Sequence, residues 1–486
     1  MLLRSFVFFI LSFIFMHNAF SLPIDWHGTF GVDTTRIDVY RKTSDAGIVT
    51  GGGSQGIAPS ASNKNSASFQ NYIFRLNPEI IVNDDVTVHG EISTGYARGG
   101  FFGDSSAFQA NTTTGAPSTS FGNALYFNNL SSGSSNLSLT QFYMELYSDT
   151  ATYLIGRQPM HWGMGAIFNK GSKTWDRHVT VHDGIHAKLR LGNFNLEPYW
   201  AKINSVGDLT NTTDVTEIGA TLLYQNKDKD MSFGILFAKR EGNPFSTYYG
   251  SATTSASLGA TDVKITDVYF KKTFGKFTAS VEAPLMSGKI GQTFTAGTNT
   301  KYKASAFLAE TAYEFNPAWK LGFNFGSISG EDSNTDKFGA MYLHPNYQVA
   351  TLLFRYNMNA ISNPNLNIYD SYMVNTRYAK LLLERSKDLW TWKFATIYAM
   401  AQETAGASGN AFNHENNVSF TSTVEQKDDL GLELDGGFDY KWNPNVTISG
   451  DLAYLFTGKY YEYSNTAAKI PTKNPYLISL RVGVNF

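Results

Sequence analysis

The sequence predicts an all-β fold: a transmembrane antiparallel up-and-down β-barrel of about 18 strands, with 16 to 20 fitting the pattern, preceded by a cleaved signal peptide. Three observations predict it. Segments of ten or so residues alternate apolar and polar side chains, the period of a strand whose two faces meet different surroundings. The connections between them alternate between short and long along the whole chain. The composition is rich in aromatics (36 Phe, 27 Tyr, 8 Trp) and glycine (43), with no cysteine and only 16% charged residues, where soluble proteins carry about 25%.

The N-terminus reads as an export signal. Arg4 supplies a positive end, residues 5–16 are apolar, and Ala19 and Ser21 put small residues at the positions a signal peptidase reads. Cleavage is expected after Ser21, giving a signal peptide at 1–21 and a barrel at 22–486; cleavage after Ala19 is the second choice. The apolar run is too short to span a bilayer comfortably, and nothing after Leu22 prolongs it. Without cysteine there is neither a lipid-modified N-terminal Cys nor a disulfide framework.

The clearest strand is 430–442. Leu430, Leu432, Leu434, Phe438, Tyr440 and Trp442 take one face, and Glu433, Asp435, Asp439 and Lys441 take the other. In 446–456, Val446, Ile448, Leu452, Tyr454 and Phe456 oppose Thr447, Ser449 and Asp451. Trp390, Trp392, Phe394, Tyr398 and Met400 form one face of another strand. Between 263 and 274 the apolar phase slips midway, which a bulge or a wrong boundary would explain.

The short connections (83–85, 148–150, 192–193, 226–230, 274–276, 316–318, 386–388 and 443–445) each hold the Asn, Asp, Gly or Pro of a tight turn. The long ones are 43–66, 99–136, 159–181, 204–213, 241–261, 287–301, 329–370, 403–427 and 458–474. A soluble sandwich has no reason to gather its long loops at one end. A membrane barrel does, with short periplasmic turns and long extracellular loops, and an even strand count leaves both termini on the periplasmic side. Trp319, Trp390, Trp442, Phe274 and Phe277 lie near short turns, as an aromatic girdle requires. In hydrocarbon every backbone N–H and C=O must be paired, so the sheet must close on itself.

The chain ends on Phe486, with Tyr476, Ile478, Leu480, Val482 and Val484 at every second position before it. This resembles the C-terminal insertion signal of Gram-negative outer-membrane β-barrels. Gly156-Arg157-Gln158, followed by Asp183-Gly184 leading into a strand, is similar to the GRQ…DG element of alginate-export-type porins. The stretches 160–165 (Met-His-Trp-Gly-Met-Gly) and 343–347 (Leu-His-Pro-Asn-Tyr) look like elements of porin-like barrels from delta-type Gram-negative bacteria. The resemblance implies an 18-stranded outer-membrane barrel with a permeable lumen, surrounded by outer-membrane lipid and lipopolysaccharide and inserted by the barrel-assembly machinery. It carries no substrate across, because alginate exporters line the pore with an excess of Arg and Lys that is missing here. Trimers are common among porins, and no stretch identifies a flat interprotomer face, so a homotrimer stays open.

If the apolar phase faces lipid, the polar phase faces the pore. The positive candidates are Arg75, Lys188, Arg190, Lys320, Arg377, Arg385, Lys393, Lys441 and Arg481. The negative ones are Glu79, Glu91, Glu145, Glu197, Glu217, Glu433, Asp435, Asp439 and Asp451. The two signs balance, which predicts weak ion selectivity and passage of small hydrophilic solutes; cross-strand pairing of these charges is the bland alternative for each. The longest loop, 329–370, contains an apolar run at 347–356 that water alone would not favour. It is expected to fold inward and narrow the pore, the alternative being an extra hairpin of 337–343 with 347–356.

Other chemistry is sparse. His161, His178, His182 and His186 cluster in sequence with Asp176 and Asp183, a metal-ligand combination, but hydrogen-bonded loop histidines are the expected reading. No Gly-x-Ser-x-Gly nucleophile motif occurs, so an enzyme is not expected, and neither is a cofactor. Net charge −2 offers no basic surface for nucleic acid. The expected activity is passive diffusion. The alternatives are a saccharide-selective channel, with Tyr143, Tyr147 and Tyr199 stacking on sugar rings, or a plugged barrel with a surface-binding or enzymatic role.

Overall fold

A computed structural model describes residues 23–40, 66–102, 137–204, 214–242, 260–291, 299–333, 337–361, 367–415, 417–465 and 469–486. The expected signal peptide and the loop segments 43–65 and 103–136 lie outside them. The barrel strands are β1 (Ile24–Asp38), β2 (Ser66–Asn83), β3 (Val86–Thr94), β4 (Leu137–Tyr147), β5 (Ala151–Pro159), β6 (Val181–Leu191), β7 (Phe194–Asn204), β8 (Val215–Asn226) and β9 (Met231–Gly242). They continue as β10 (Thr261–Phe274), β11 (Phe277–Ile290), β12 (Lys301–Asn316), β13 (Trp319–Ile328), β14 (Thr376–Lys387), β15 (Trp390–Ala401), β16 (Asp429–Lys441), β17 (Val446–Thr457) and β18 (Tyr476–Asn485). Each pairs antiparallel with its neighbour in sequence. β1 also pairs with β18, from Thr29↔Asn485 to Asp38↔Tyr476, so the 18 strands close into a barrel without edges.

Two further segments join the sheet without entering the barrel. Gly99–Phe101 lies beside β2, and Lys337–Phe338 runs parallel to β12. The hairpin of 337–343 with 347–356 does not form. Residues 409–413 and 418–422 make a separate two-stranded ribbon at the long-loop end.

The tight turns are built as their residue types demand. The Asn316 side-chain oxygen accepts from the Ala318 and Trp319 amides at 2.9 and 3.1 Å, and that of Asn443 from Asn445 and Val446 at 2.8 Å each. Gly192 (φ 63°) and Gly275 (φ 61°) supply the left-handed positions of two other turns.

The outer face is apolar and exposed: Phe30, Phe142, Ile185, Trp200, Ile218, Phe237, Leu285, Phe323, Phe394, Leu434, Leu452 and Leu480 all lie on it. In water such a continuous belt would be untenable; against acyl chains it is the required surface. Near the short turns Trp390 stacks on Trp392 (centroids 5.3 Å apart) and packs against Tyr440, next to the exposed Trp442. A closed sheet wearing this belt is a multi-pass transmembrane β-barrel.

The phase slip in β10 is not a bulge. Its pairing runs without a register shift from Thr261 to Lys272 against β9 and from Thr261 to Phe274 against β11. Val263 and Ile265 are buried on the inner face, while Val268, Phe270 and Phe274 are exposed on the outer one. Towards the long-loop end the inner face is dry, so the apolar phase changes sides with depth. β16 does carry an irregularity: the register shifts opposite Ala399 and Met400, Gly431 adopts φ 120°, and Leu430 turns inward to 6% exposure.

Candidate functional site

What dries the inner face is the chain itself. Two loops enter the barrel, 160–180 from between β5 and β6, and, from between β13 and β14, a second whose described residues are 339–361 and 367–375. The second was expected inside. The first was not, and it lies as deep: Met160, Trp162, Ala166 and Phe168 are buried in the same apolar cluster as Met341, Leu343, Tyr347, Leu352 and Phe354.

The first loop crosses the lumen from wall to wall. On one side the Glu282 carboxylate on β11 accepts from the Met164 and Ala166 amides, and Trp162 packs edge-on against Tyr269 of β10. On the other, Arg75 of β2 donates to the carbonyls of Gly171 (2.7 Å) and Lys173 (2.9 Å), and Arg177 pairs with Asp33 of β1 at 2.7 Å. Trp175 rests on β1 where Gly31 leaves room, since a Cβ there would meet its ring at 2.7 Å. Arg98 joins the same anchor, donating to Glu91 (2.8 Å) and to the Gly171 carbonyl (2.7 Å).

The second loop is held by single buried groups. The Glu433 carboxylate accepts the amides of Thr351, Leu352 and Leu353 at 2.7, 2.6 and 2.9 Å. Lys380 donates to the Val349 carbonyl (2.7 Å), Tyr347 to Glu310 (3.0 Å), and Arg355 to Asp451 (3.4 Å), which also binds Arg481. The loops bind each other too. The Asn346 side chain donates to the His178 carbonyl (2.8 Å) and accepts from the His178 amide (3.3 Å), while the His344 amide donates to Ala166 (2.7 Å). Arg177 sits 3.9 Å over the Tyr369 ring. Burial lowers the His178 imidazole against the pull of Asp370, and pushes His344 down to about 3.

The register places Arg75, Glu79, Glu91, Glu145, Lys188, Arg190, Glu197, Glu217, Lys320, Lys393, Glu433, Asp435, Asp439, Lys441, Asp451 and Arg481 on the inner face. They divide by depth. Arg75, Glu91, Glu217 and Glu433 are buried beneath the loops, whereas Lys188, Arg190, Lys320, Lys393 and Lys441, nearer the short turns, are exposed although they point inward. Arg377 and Arg385 stand on the outer face, a correction to the alternation reading. Pairing of Gly326 with Tyr378 and Lys320 with Glu384 turns Tyr378, Lys380 and Glu384 inward. Leu381, Leu382 and Leu383 are consecutive, so no apolar phase is legible there. Arg385 lies 5.1 Å over Trp319, its stem along apolar surface and its head near the interface. Tyr476, Ile478, Leu480, Val482, Val484 and Phe486 share the outer face, and Phe486 exchanges backbone hydrogen bonds with Gly28 across the seam.

Of the four histidines, His182 and His186 stand on strand β6 rather than in a loop, and they form a hydrogen-bonded chain in the wall. His182 Nδ1 meets His186 Nε2 at 3.1 Å, His186 Nδ1 meets Glu197 at 2.7 Å, and Glu217 binds Arg240 and the Tyr199 hydroxyl. Among the described residues no group of three or more His, Cys, Asp or Glu could hold a metal ion. Tyr199, 4% exposed, stacks on His186, and Tyr143 stacks on His89, both at 4.9 Å, so one face of the Tyr143 ring is covered and Tyr199 is closed to a sugar. Tyr147 shares their face at the short-turn end.

Sequence reasoning missed Asp33, Arg98, Arg177, Arg240, Glu282 and Arg355. Asp33 and Glu282 lie in strand phases that alternation reaches. Arg177 and Arg355 lie in loops without a period and could not have been placed. At the long-loop end a cavity of about 500 Å³ is lined by Tyr342, Tyr356, Tyr372, Tyr460 and Tyr461 with Asp370, His414 and Glu415.

No protein-family model matches the chain, and no curated protein matches it. Among solved structures it is similar to OccK8 (OprE) of Pseudomonas aeruginosa, with a TM-score of 0.47, 11% identity and 95% of this chain covering 98% of that one. It is similar to OccK2 (OpdF) of the same organism (TM-score 0.48, 8% identity, 95% and 98% covered). It is also similar to OccAB2 of Acinetobacter baumannii (TM-score 0.48, 11% identity, 95% and 98% covered).

Proposed function

We propose that the protein is an outer-membrane porin giving passive diffusion of small hydrophilic solutes and ions through a mixed-charge lumen narrowed by the two inward loops. The observation that carries this is the division of the inner wall by depth. Towards the short turns inward cations stand water-exposed among half-buried carboxylates such as Glu79, Glu145 and Asp439, and a constriction closes over them towards the long loops. A hydrated interior with both signs present focuses no single ion. No covalent chemistry is part of the proposal. Removal of the leader after Ser21, and reading of the terminal strand by the barrel-assembly machinery, belong to it.

A saccharide-selective channel is the second reading. The aromatic cavity at the long-loop end favours it, because its tyrosine rings offer faces of the kind that stack on sugars. Swelling of liposomes containing the refolded protein separates the two. The porin reading predicts entry of neutral sugars and of ions of similar size alike, falling smoothly with solute size. Saturable uptake of sugars alone would contradict it.

A further inference from the structure

The cavity at the long-loop end joins aromatic rings to charge of one sign. The second inward loop brings Tyr342 and Tyr372 to it, edge to face with ring centroids 6.2 Å apart. Tyr460 and Tyr461 come from a short helical turn after β17, Lys459–Glu462, and are again edge to face, at 5.2 Å. Within an edge-to-face pair the partner covers only one of the four ring faces. Tyr372 is 45% exposed, so solute reaches the rings. The lining holds two acids, Asp370 and Glu415, and neither lysine nor arginine is among the described residues that form it. Residues 362–366, 416 and 466–468, next to it in sequence, add no lysine or arginine. His414, also in the lining, is held uncharged by burial, at about 3. Burial raises the Tyr342, Tyr372 and Tyr460 phenols, and the carboxylates of Glu331, Asp370 and Glu415 respectively add to the rise.

The same loop shows what such ring faces hold. Arg177 sits 3.9 Å over Tyr369, and Arg355 lies 5.3 Å over Tyr356 while pairing with Asp451 on the wall. We propose that the cavity is a binding site for a small organic cation, a substituted ammonium, held on the faces of Tyr342, Tyr372, Tyr460 and Tyr461 within the field of Asp370 and Glu415. The carboxylates act through that field, so Asp370 keeps its contact with His178 (3.6 Å). A neutral sugar can use the same rings, but only a cation gains from the one-sided charge. At about 500 Å³ the cavity admits an ammonium carrying several carbon substituents. The assignment concerns binding and does not rest on passage through the lumen.

The test uses the full refolded chain in deuterated detergent at constant ionic strength. It is titrated with choline, with the uncharged isostere in which carbon replaces nitrogen, and with glucose, read by saturation-transfer NMR. Choline is expected to bind at least about tenfold more tightly than either neutral probe. Tyr342→Leu with Tyr372→Leu is expected to lose at least about tenfold in choline affinity, while the double Phe variant, which keeps both rings, stays within about twofold of the parent. Asp370→Asn with Glu415→Gln removes charge at nearly constant volume and should lose about threefold or more. Glu241→Gln, at the end of β9, should leave binding unchanged. Equal binding of the carbon isostere, glucose bound as tightly as choline, or full affinity in either the Leu or the amide double variant would each overturn the assignment. Heat-shifted gel migration confirms that every variant compared is a folded barrel.

Discussion

A single carboxylate, that of Glu433, satisfies three successive backbone amides of the second loop. Each amide left unpaired in a dry site costs about 1–3 kcal/mol. Glu433→Ala should therefore detach 351–353 from the wall, raising single-channel conductance and lowering the thermal midpoint. Glu433→Gln keeps an acceptor oxygen and should do less of both. A Glu433→Ala protein with parental conductance would show that the loop is held elsewhere. The histidines give the loops a pH dependence of definite sign. Burial holds His344 and His414 at about 3, below the ordinary value of roughly 6.5. An opened loop therefore takes up protons first, and the packed state loses the stability these two imidazoles give as pH falls from about 6.5 towards 3, their contribution being constant above that window. Hydrogen exchange across 339–358, corrected for intrinsic rates, should accelerate on acidification in the parent and markedly less in His344→Gln, His414→Gln. Equal acceleration in the variant would assign the effect to other groups.

At the scale of elements, the inward loop is the main departure from a plain barrel. Removing residues 334–364 takes out the lumen-filling stretch 339–361 and should raise single-channel conductance; an unchanged conductance would refute a constricting role. How far the sequence shows these elements depends on what each side chain faces. Where one side meets lipid and the other water, as in β16 and β17, alternation marks the strand and both its faces. In β10 the inner face turns apolar beneath the loops, so Val263 and Ile265 look like lipid-facing residues of a slipped register. In β14 three consecutive leucines erase the phase, and Arg377 and Arg385 fall to the wrong side. The apolar run 347–356 betrays an inward loop because a solvated one has no use for it. The loop at 160–180 gives a weaker signal, since its anchors, Arg75, Glu282 and Gly31, lie far away in sequence.

For the whole molecule, closure joins the first strand to the last, and Phe486 lies at that seam with its ring beside Gly28. Truncating Phe486 removes both the last seam hydrogen bonds and the terminal aromatic. It should slow assembly into outer-membrane vesicles while leaving the assembled barrel heat-resistant; assembly at the parental rate would deny the terminal strand its signalling role. The central claim is that water runs through this cylinder past the two crossed loops. Planar-bilayer recording of the refolded protein under a salt gradient tests it most directly. The structure predicts steady conductance steps with a reversal potential close to zero, and a protein that inserts yet shows no steady conductance would contradict it.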